Sequence, residues 1–130
     1  MADATSAVEI DKDGRSIWVG ERCGTRPNPN SGPNVATNSC WDAQAGKMIA
    51  FNPVLKFDSN GSLVASFGQG MFVFPHGIHV DRDGNVWGAG SSSCRLVQLD
   101  VATKTYVNNN IPLPGCSSPW GISIDVDGYV

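Results

Sequence analysis

One pattern constrains this chain more than any other: an apolar strand, an Asp-containing Gly turn and a strand leading out occur three times. The copies are Val8-Glu9-Ile10-Asp11-Lys12-Asp13-Gly14 continuing to Ile17-Trp18, Ile78-His79-Val80-Asp81-Arg82-Asp83-Gly84-Asn85-Val86-Trp87, and Ile122-Ser123-Ile124-Asp125-Val126-Asp127-Gly128-Tyr129-Val130. Each reads as a β-hairpin. Period-2 apolar residues bring a strand in, Asp and a Gly with positive φ make the turn, and an aromatic or β-branched strand leads out. Between the copies, Val54 to Val64 around Asp58-Ser59-Asn60-Gly61, and Leu96-Val97-Gln98-Leu99-Asp100 through Thr105-Tyr106-Val107, read as a second hairpin per repeat. Gly84 and Gly128 are 44 residues apart and Asp58 and Asp100 are 42 apart, so the unit is four short strands in about 43 residues. A four-stranded unit at that period is a β-propeller blade.

No stretch keeps apolar residues at i, i+3, i+4 and i+7 without a Gly, Pro or Asp-Gly interruption, which predicts essentially no helix. The fold class expected is all-β, a partial β-propeller of about three four-stranded blades with the terminal ones incomplete. The chain opens inside an inner hairpin, holds one full blade from about Pro75 to Cys116, and reaches Val130 partway through another. With 130 residues, residues 1–130 make one domain. Gly14 and Gly84 are separated by 70 residues, and the excess falls between Cys23 and Phe51. This is read as a long loop insertion at about 23–50. Its segment Thr25 to Asn34, rich in Pro and Asn, is expected to form no ladder but to be clipped by cysteines. Such a loop is either a functional surface or a tolerated insertion. Propellers close with four to eight blades. The count therefore points to a segment of a longer chain or to a homo-oligomer that completes the ring.

The formal charge of −3 and pI near 5.1 leave no basic face to neutralise phosphates, which argues against nucleic acid and anionic membranes as partners. Met1 to Thr5 carry neither the basic nor the apolar part of a signal peptide. No run approaches the ~18 apolar residues of a membrane span, so the chain as written reads as soluble. Cys23, Cys40, Cys94 and Cys116 are too far apart for a zinc ribbon. Pairing near neighbours, Cys23 with Cys40 and Cys94 with Cys116, closes the smallest loops; buried free thiols are the alternative. Disulfides would place the parent protein in a secreted or periplasmic setting.

The blade starts align Pro75-His76-Gly77-Ile78 with Pro119-Trp120-Gly121-Ile122. That position begins the innermost strand, facing the central channel. An imidazole there can ligate a metal or move protons, where a Trp plugs the space; a purely structural His is the other reading. His79 falls on the alternate side and reads as packing or surface. With two histidines, one copy cannot build a three-His zinc site. Asp81, Asp83, Asp125 and Asp127 sit in turns, and Asp81 to Asn85 lacks the Gly placement and bidentate Glu of a calcium loop. Arg22, after the strand that contains Trp18, can bind a carboxylate bidentately or pair with Glu21 or another acid. No Ser-His-Asp order, nucleophile elbow or phosphate-binding Gly loop is visible. Asn60-Gly61-Ser62 matches a glycosylation acceptor but reads as a turn.

Over residues 7 to about 90, these features resemble the NHL-repeat propeller of peptidyl-α-hydroxyglycine α-amidating lyases and their bacterial relatives. The resemblance is carried by Ile17-Trp18-Val19-Gly20-Glu21-Arg22-Cys23-Gly24, by Val54-Leu55-Lys56-Phe57, and by the run from Gly68 through Phe74-Pro75-His76-Gly77 to Trp87. It implies a zinc-dependent carbon–nitrogen lyase of six blades, acting on a small peptide-like substrate, with zinc held by three histidines on different blades and calcium in the channel. By the same resemblance His76 is a zinc ligand, Arg22 the active-site arginine, and Ile78 a position whose backbone carbonyl meets calcium. The other two zinc histidines are absent, so the fragment is expected to be inactive or weakly active. Residues 91–130, through Pro119-Trp120-Gly121-Ile122-Ser123-Ile124-Asp125, are more similar to streptogramin-lyase-type propellers. The alternative function is a non-enzymatic NHL-repeat module for protein or ligand binding, with the Cys23 to Cys40 loop as contact surface.

Overall fold

A computed structural model describes residues 5–23, 25–28, 32–36, 39–42, 45–90, 95–103, 105–117, 119–125, 127, 129 and 130. All regular structure among them is β. The strands are β1 (Thr5–Ile10), β2 (Ile17–Glu21), β3 (Thr25–Asn28), β4 (Gly32–Ala36), β5 (Trp41–Asp42) and β6 (Lys47–Met48), then β7 (Val54–Phe57), β8 (Leu63–Phe67), β9 (Pro75–Val80), β10 (Val86–Gly90), β11 (Arg95–Asp100) and β12 (Thr105–Pro112).

They form two antiparallel four-stranded blades, ordered β1-β2-β7-β8 and β9-β10-β11-β12. The blade at the chain's start is complete, because the insertion separates its two hairpins in sequence but not in space: Ile17 of β2 pairs with Phe57 of β7 and Val19 with Leu55. A third repeat follows. Its Asp125 amide donates to the Tyr129 carbonyl at 3.0 Å, so the turn closes as in the other repeats, while residues 119–130 enter no ladder among the described residues.

The hairpin turns are built by their aspartates. Asp81 Oδ1 accepts from the Asp83 and Asn85 amides at 3.0 and 2.9 Å, and Asp125 Oδ1 accepts from those of Asp127 and Tyr129. Asp58 and Asp100 do the same in the outer hairpins. A short carboxylate that satisfies two amides replaces the ladder bonds that a turn must forgo.

The core lies in the seam between the blades. Trp18, Val54 and Phe67 from the first blade meet Ile78, Val86, Val97 and Leu99 from the second, with Phe72 from the connection between them. Trp18 is fully buried and meets Phe67 edge-on at 5.7 Å. Phe72 reaches in because position 88 is glycine: a Cβ there would lie 2.6 Å from its ring. β9 packs against β1 and β2, and Lys12 Nζ donates to the Asp83 carbonyl at 2.8 Å. The inner-hairpin turns of both blades therefore share one end of the molecule.

The insertion departs from the bare loop expected for it. β3 pairs with β4, and β5 with β6. Pro27 is tolerated because it falls where the register shifts between Arg26 and Asn28, in a two-stranded ribbon whose every strand is an edge. Cys23 and Cys40 are joined by a disulfide, as the spacing suggested, with Cα atoms 5.1 Å apart. The Cys40 amide donates to the Val73 carbonyl at 2.8 Å, which ties the insertion to the link between blades. Cys116 is also disulfide-bonded, and Cys94, the partner expected for it, lies outside the described residues.

Candidate functional site at the open end of the inner strands

Opposite the turns is the end where the inner strands begin. Counting five residues back from each turn aspartate gives Ser6, His76 and Trp120, the same position in three successive repeats. Strand β2 runs back to this end, since Glu21 pairs with Thr5. Arg22 therefore emerges beside the starts of β1 and β9, and the insertion departs from the same place.

His76 is half-buried, and its Nδ1 lies 2.7 Å from the Trp120 carbonyl. A carbonyl only accepts, so Nδ1 carries the proton in this contact, and in the neutral ring Nε2 is the nitrogen with the lone pair. The rings of His76 and Trp120 meet edge-on with centroids 4.4 Å apart. Close approach of the third repeat is possible because residue 77 is glycine; a Cβ there would stand 2.8 Å from Gly121 Cα. An imidazole pinned through one nitrogen by a backbone carbonyl, with the other free, is the arrangement that metal-ligating and proton-transferring histidines use.

Arg22 is half-buried, with Cζ 5.6 Å from the centroid of the Phe74 ring, two residues before His76. Its Nε is buried and has no hydrogen-bond partner among the described residues. A buried guanidinium N–H without a partner is costly unless an acceptor arrives, and a carboxylate suits it best.

Ile78 is 7% exposed, pairs with Gly88 across the ladder and packs against Gly20 of the first blade. Its side chain thus serves the seam. His79 faces Glu9 of β1, Nδ1 to Oε2 3.8 Å, in keeping with a packing or surface role. No group of three His, Cys, Asp or Glu side chains close enough to hold a metal occurs among the described residues. His76 suits zinc as a single ligand, and these residues alone do not make up a zinc site.

The far end is structural. Asp11 Oδ2 accepts from the Trp18 indole at 2.6 Å and pairs with Lys56 Nζ at 2.9 Å. Burial pushes the Asp11 carboxyl up, but hydrogen bonds from Lys56, the Asp13 amide and Trp18 outweigh it and hold the pKa below its ordinary value. Asp81 repeats this: burial is outweighed by bonds from the Trp87 indole, Asn85 and the Asp83 amide. Sequence reasoning missed Ser6, the Phe74 contact and the Trp120 carbonyl. The five-residue offset from Asp11 would have found Ser6; the carbonyl carries no sequence signal.

No family model matches the chain, and no curated protein matches it in sequence. In fold it is similar to hydrazine synthase of Kuenenia stuttgartiensis, with a TM-score of 0.63 and 15% identity over 98% of this chain and 28% of that one. It is also similar to a gluconolactonase of Xanthomonas campestris, with a TM-score of 0.54 and 15% identity over 96% of this chain and 32% of that one. This chain folds as part of a β-propeller. At such identities the likeness is one of fold, and the chain spans about a third or less of each neighbour's length.

Proposed function

We propose that this propeller segment carries part of a small-molecule site at the inner-strand end, of the peptidyl-α-hydroxyglycine α-amidating lyase kind. In this reading Arg22 anchors a substrate carboxylate, and His76 offers Nε2 as one zinc ligand. The observation that carries it is the placement beside Phe74 of the buried Arg22 Nε, which has no hydrogen-bond partner among the described residues, two residues from an imidazole held through Nδ1. The sequence resemblance to the lyases assigns the same two residues. Zinc in that family polarises a substrate hydroxyl. Calcium at the Ile78 carbonyl, secretion of the parent protein and assembly into a full ring belong to the same reading. The disulfides suit an oxidising compartment.

A second reading, a non-enzymatic binding module, is favoured by the disulfide-clipped insertion at the same end, where Trp41 is 42% exposed. The two readings part on ligand and metal. Calorimetric titration with an N-acylglycine should show binding that weakens roughly tenfold or more in Arg22→Ala, the loss expected of a charge-assisted hydrogen bond. Metal analysis should show zinc that is lost in His76→Ala, and lyase turnover by this chain should be weak or absent. Indifference to both zinc and the carboxylate, with binding of a protein partner that depends on the insertion, would replace the first reading by the second.

A further inference from the structure

Arg22 stands where β2 leaves its sheet, and the chain is fixed on both sides of it. Before it, Glu21 pairs with Thr5 and its amide donates to the Pro53 carbonyl at 2.8 Å. After it, Cys23 turns the backbone out of the strand with a φ of 52°. A non-glycine residue holds that left-handed conformation only where its surroundings require it. The bridge to Cys40 supplies the requirement. The two cysteines are 6% and 2% exposed, so the bridge is packed inside the molecule and is no loose surface clip.

Cys40 in turn is fixed to the entry of β9. Its amide donates to the Val73 carbonyl at 2.8 Å, and the neighbouring Ser39 hydroxyl donates to the same carbonyl at 3.3 Å. A carbonyl that takes two donors fixes the plane of its peptide, and this peptide joins Val73 to Phe74. The Phe74 ring meets the Arg22 guanidinium at a cation–π distance, 5.6 Å from Cζ to the ring centroid. The contacts close a circuit from Arg22 through Cys23, Cys40, Val73 and Phe74 back to Arg22. An arginine side chain has several rotatable bonds, and a ligand that must order them binds more weakly. Here the backbone is tied and the head group lies against a ring, while Nε still has no hydrogen-bond partner among the described residues.

We propose that the Cys23–Cys40 disulfide is a positioning element for Arg22. Through the Val73 carbonyl it sets the Phe74 ring against the guanidinium, and so offers a carboxylate an arginine that is already ordered. The ligand in this inference rests on the carboxylate reading of Arg22; the circuit itself does not. The cysteines act only through Arg22 and Phe74.

Cys23→Ser combined with Cys40→Ser removes the bridge and leaves that of Cys116 in place. In the nitrogen-15-labelled wild type, the Arg22 Nε–H should resonate upfield, under the Phe74 ring current, and exchange slowly with solvent. In the double variant it should move to the position of an exposed arginine such as Arg15 and exchange roughly tenfold faster or more, with the Gly20 to Ile78 contact between blades retained. N-acylglycine should bind the variant roughly two- to tenfold more weakly than the wild type, the ordering cost of one long side chain. Cys23→Gly with Cys40→Ser is the second variant, since glycine takes the left-handed turn without strain and the fold is spared. It should release the Nε–H signal in the same way. A signal that stays in place in either variant overturns the proposal, as does an N-acylglycine affinity equal in bridged and unbridged protein. A wild type that binds no N-acylglycine overturns the carboxylate reading instead, and the Nε–H signal alone then decides the positioning.

Discussion

At the scale of single residues, the turn aspartates bind the hairpins together. Asp13 is held down to about 2 by the Ser16 and Arg15 amides and the Ser16 hydroxyl, and Asp100 is lowered chiefly by the Thr103 amide. With Asp11 and Asp81 also lowered, the folded state binds fewer protons than the unfolded one between the ordinary value of 3.8 and the folded values. Folded pKa values below unfolded ones mean stability that is fully present above about pH 4 and is lost as the pH falls towards about 2. Urea midpoints measured across that range should fall with acidification, and midpoints independent of pH would contradict the account. Asp11→Ala should flatten part of the fall and destabilise by about 2–3 kcal/mol, since it strands the Trp18 indole and Lys56. These turns were legible in the sequence because Asx and Gly turn chemistry is local. The contact of His76 with Trp120 was not: the two residues aligned as repeat equivalents, but the bond runs to a backbone carbonyl 44 residues away.

Elements were legible where alternation and turn signals coincide. The inner and outer hairpins of both blades show it, and their order in each blade follows from the repeat; in the third repeat the turn closes, and no ladder forms among the described residues. The insertion was legible as an interruption but not as structure. Its Pro and Asn content argued against pairing, yet an isolated ribbon accepts proline where its register slips, and that depends on which residues face each other across the ribbon. Faces were the other blind spot. Alternation marks two apolar faces on the first blade and cannot say which meets the second. Gly88 reports the outcome, because Phe72 enters the core through the space of its missing side chain. Gly88→Ala should destabilise the fold by about 1–3 kcal/mol, as overpacking of a filled core does. A thermal transition unchanged from wild type would show that Phe72 does not fill this space.

For the whole molecule, everything at the inner-strand end depends on how the blades are set against each other. If β9 did not lie on β1 and β2, Arg22 and His76 would not share an end, and the Trp18 face would have no cover. The sequence resemblance carried His76 and Arg22 to a common site, and the repeat carried the blades to a common axis. The fold likeness to larger propellers supports the architecture and leaves the chemistry to experiment. The seam itself has a direct reporter in Gly20 of β2, which faces Ile78 of β9; a Cβ at Gly20 would lie 3.4 Å from Ile78 Cγ2. Nuclear Overhauser contacts in the isotopically labelled chain decide the matter. A strong cross-peak between the Gly20 α-protons and the Ile78 γ-methyl is expected, and its absence in a spectrum that shows both hairpins formed would contradict the packing of one blade on the other.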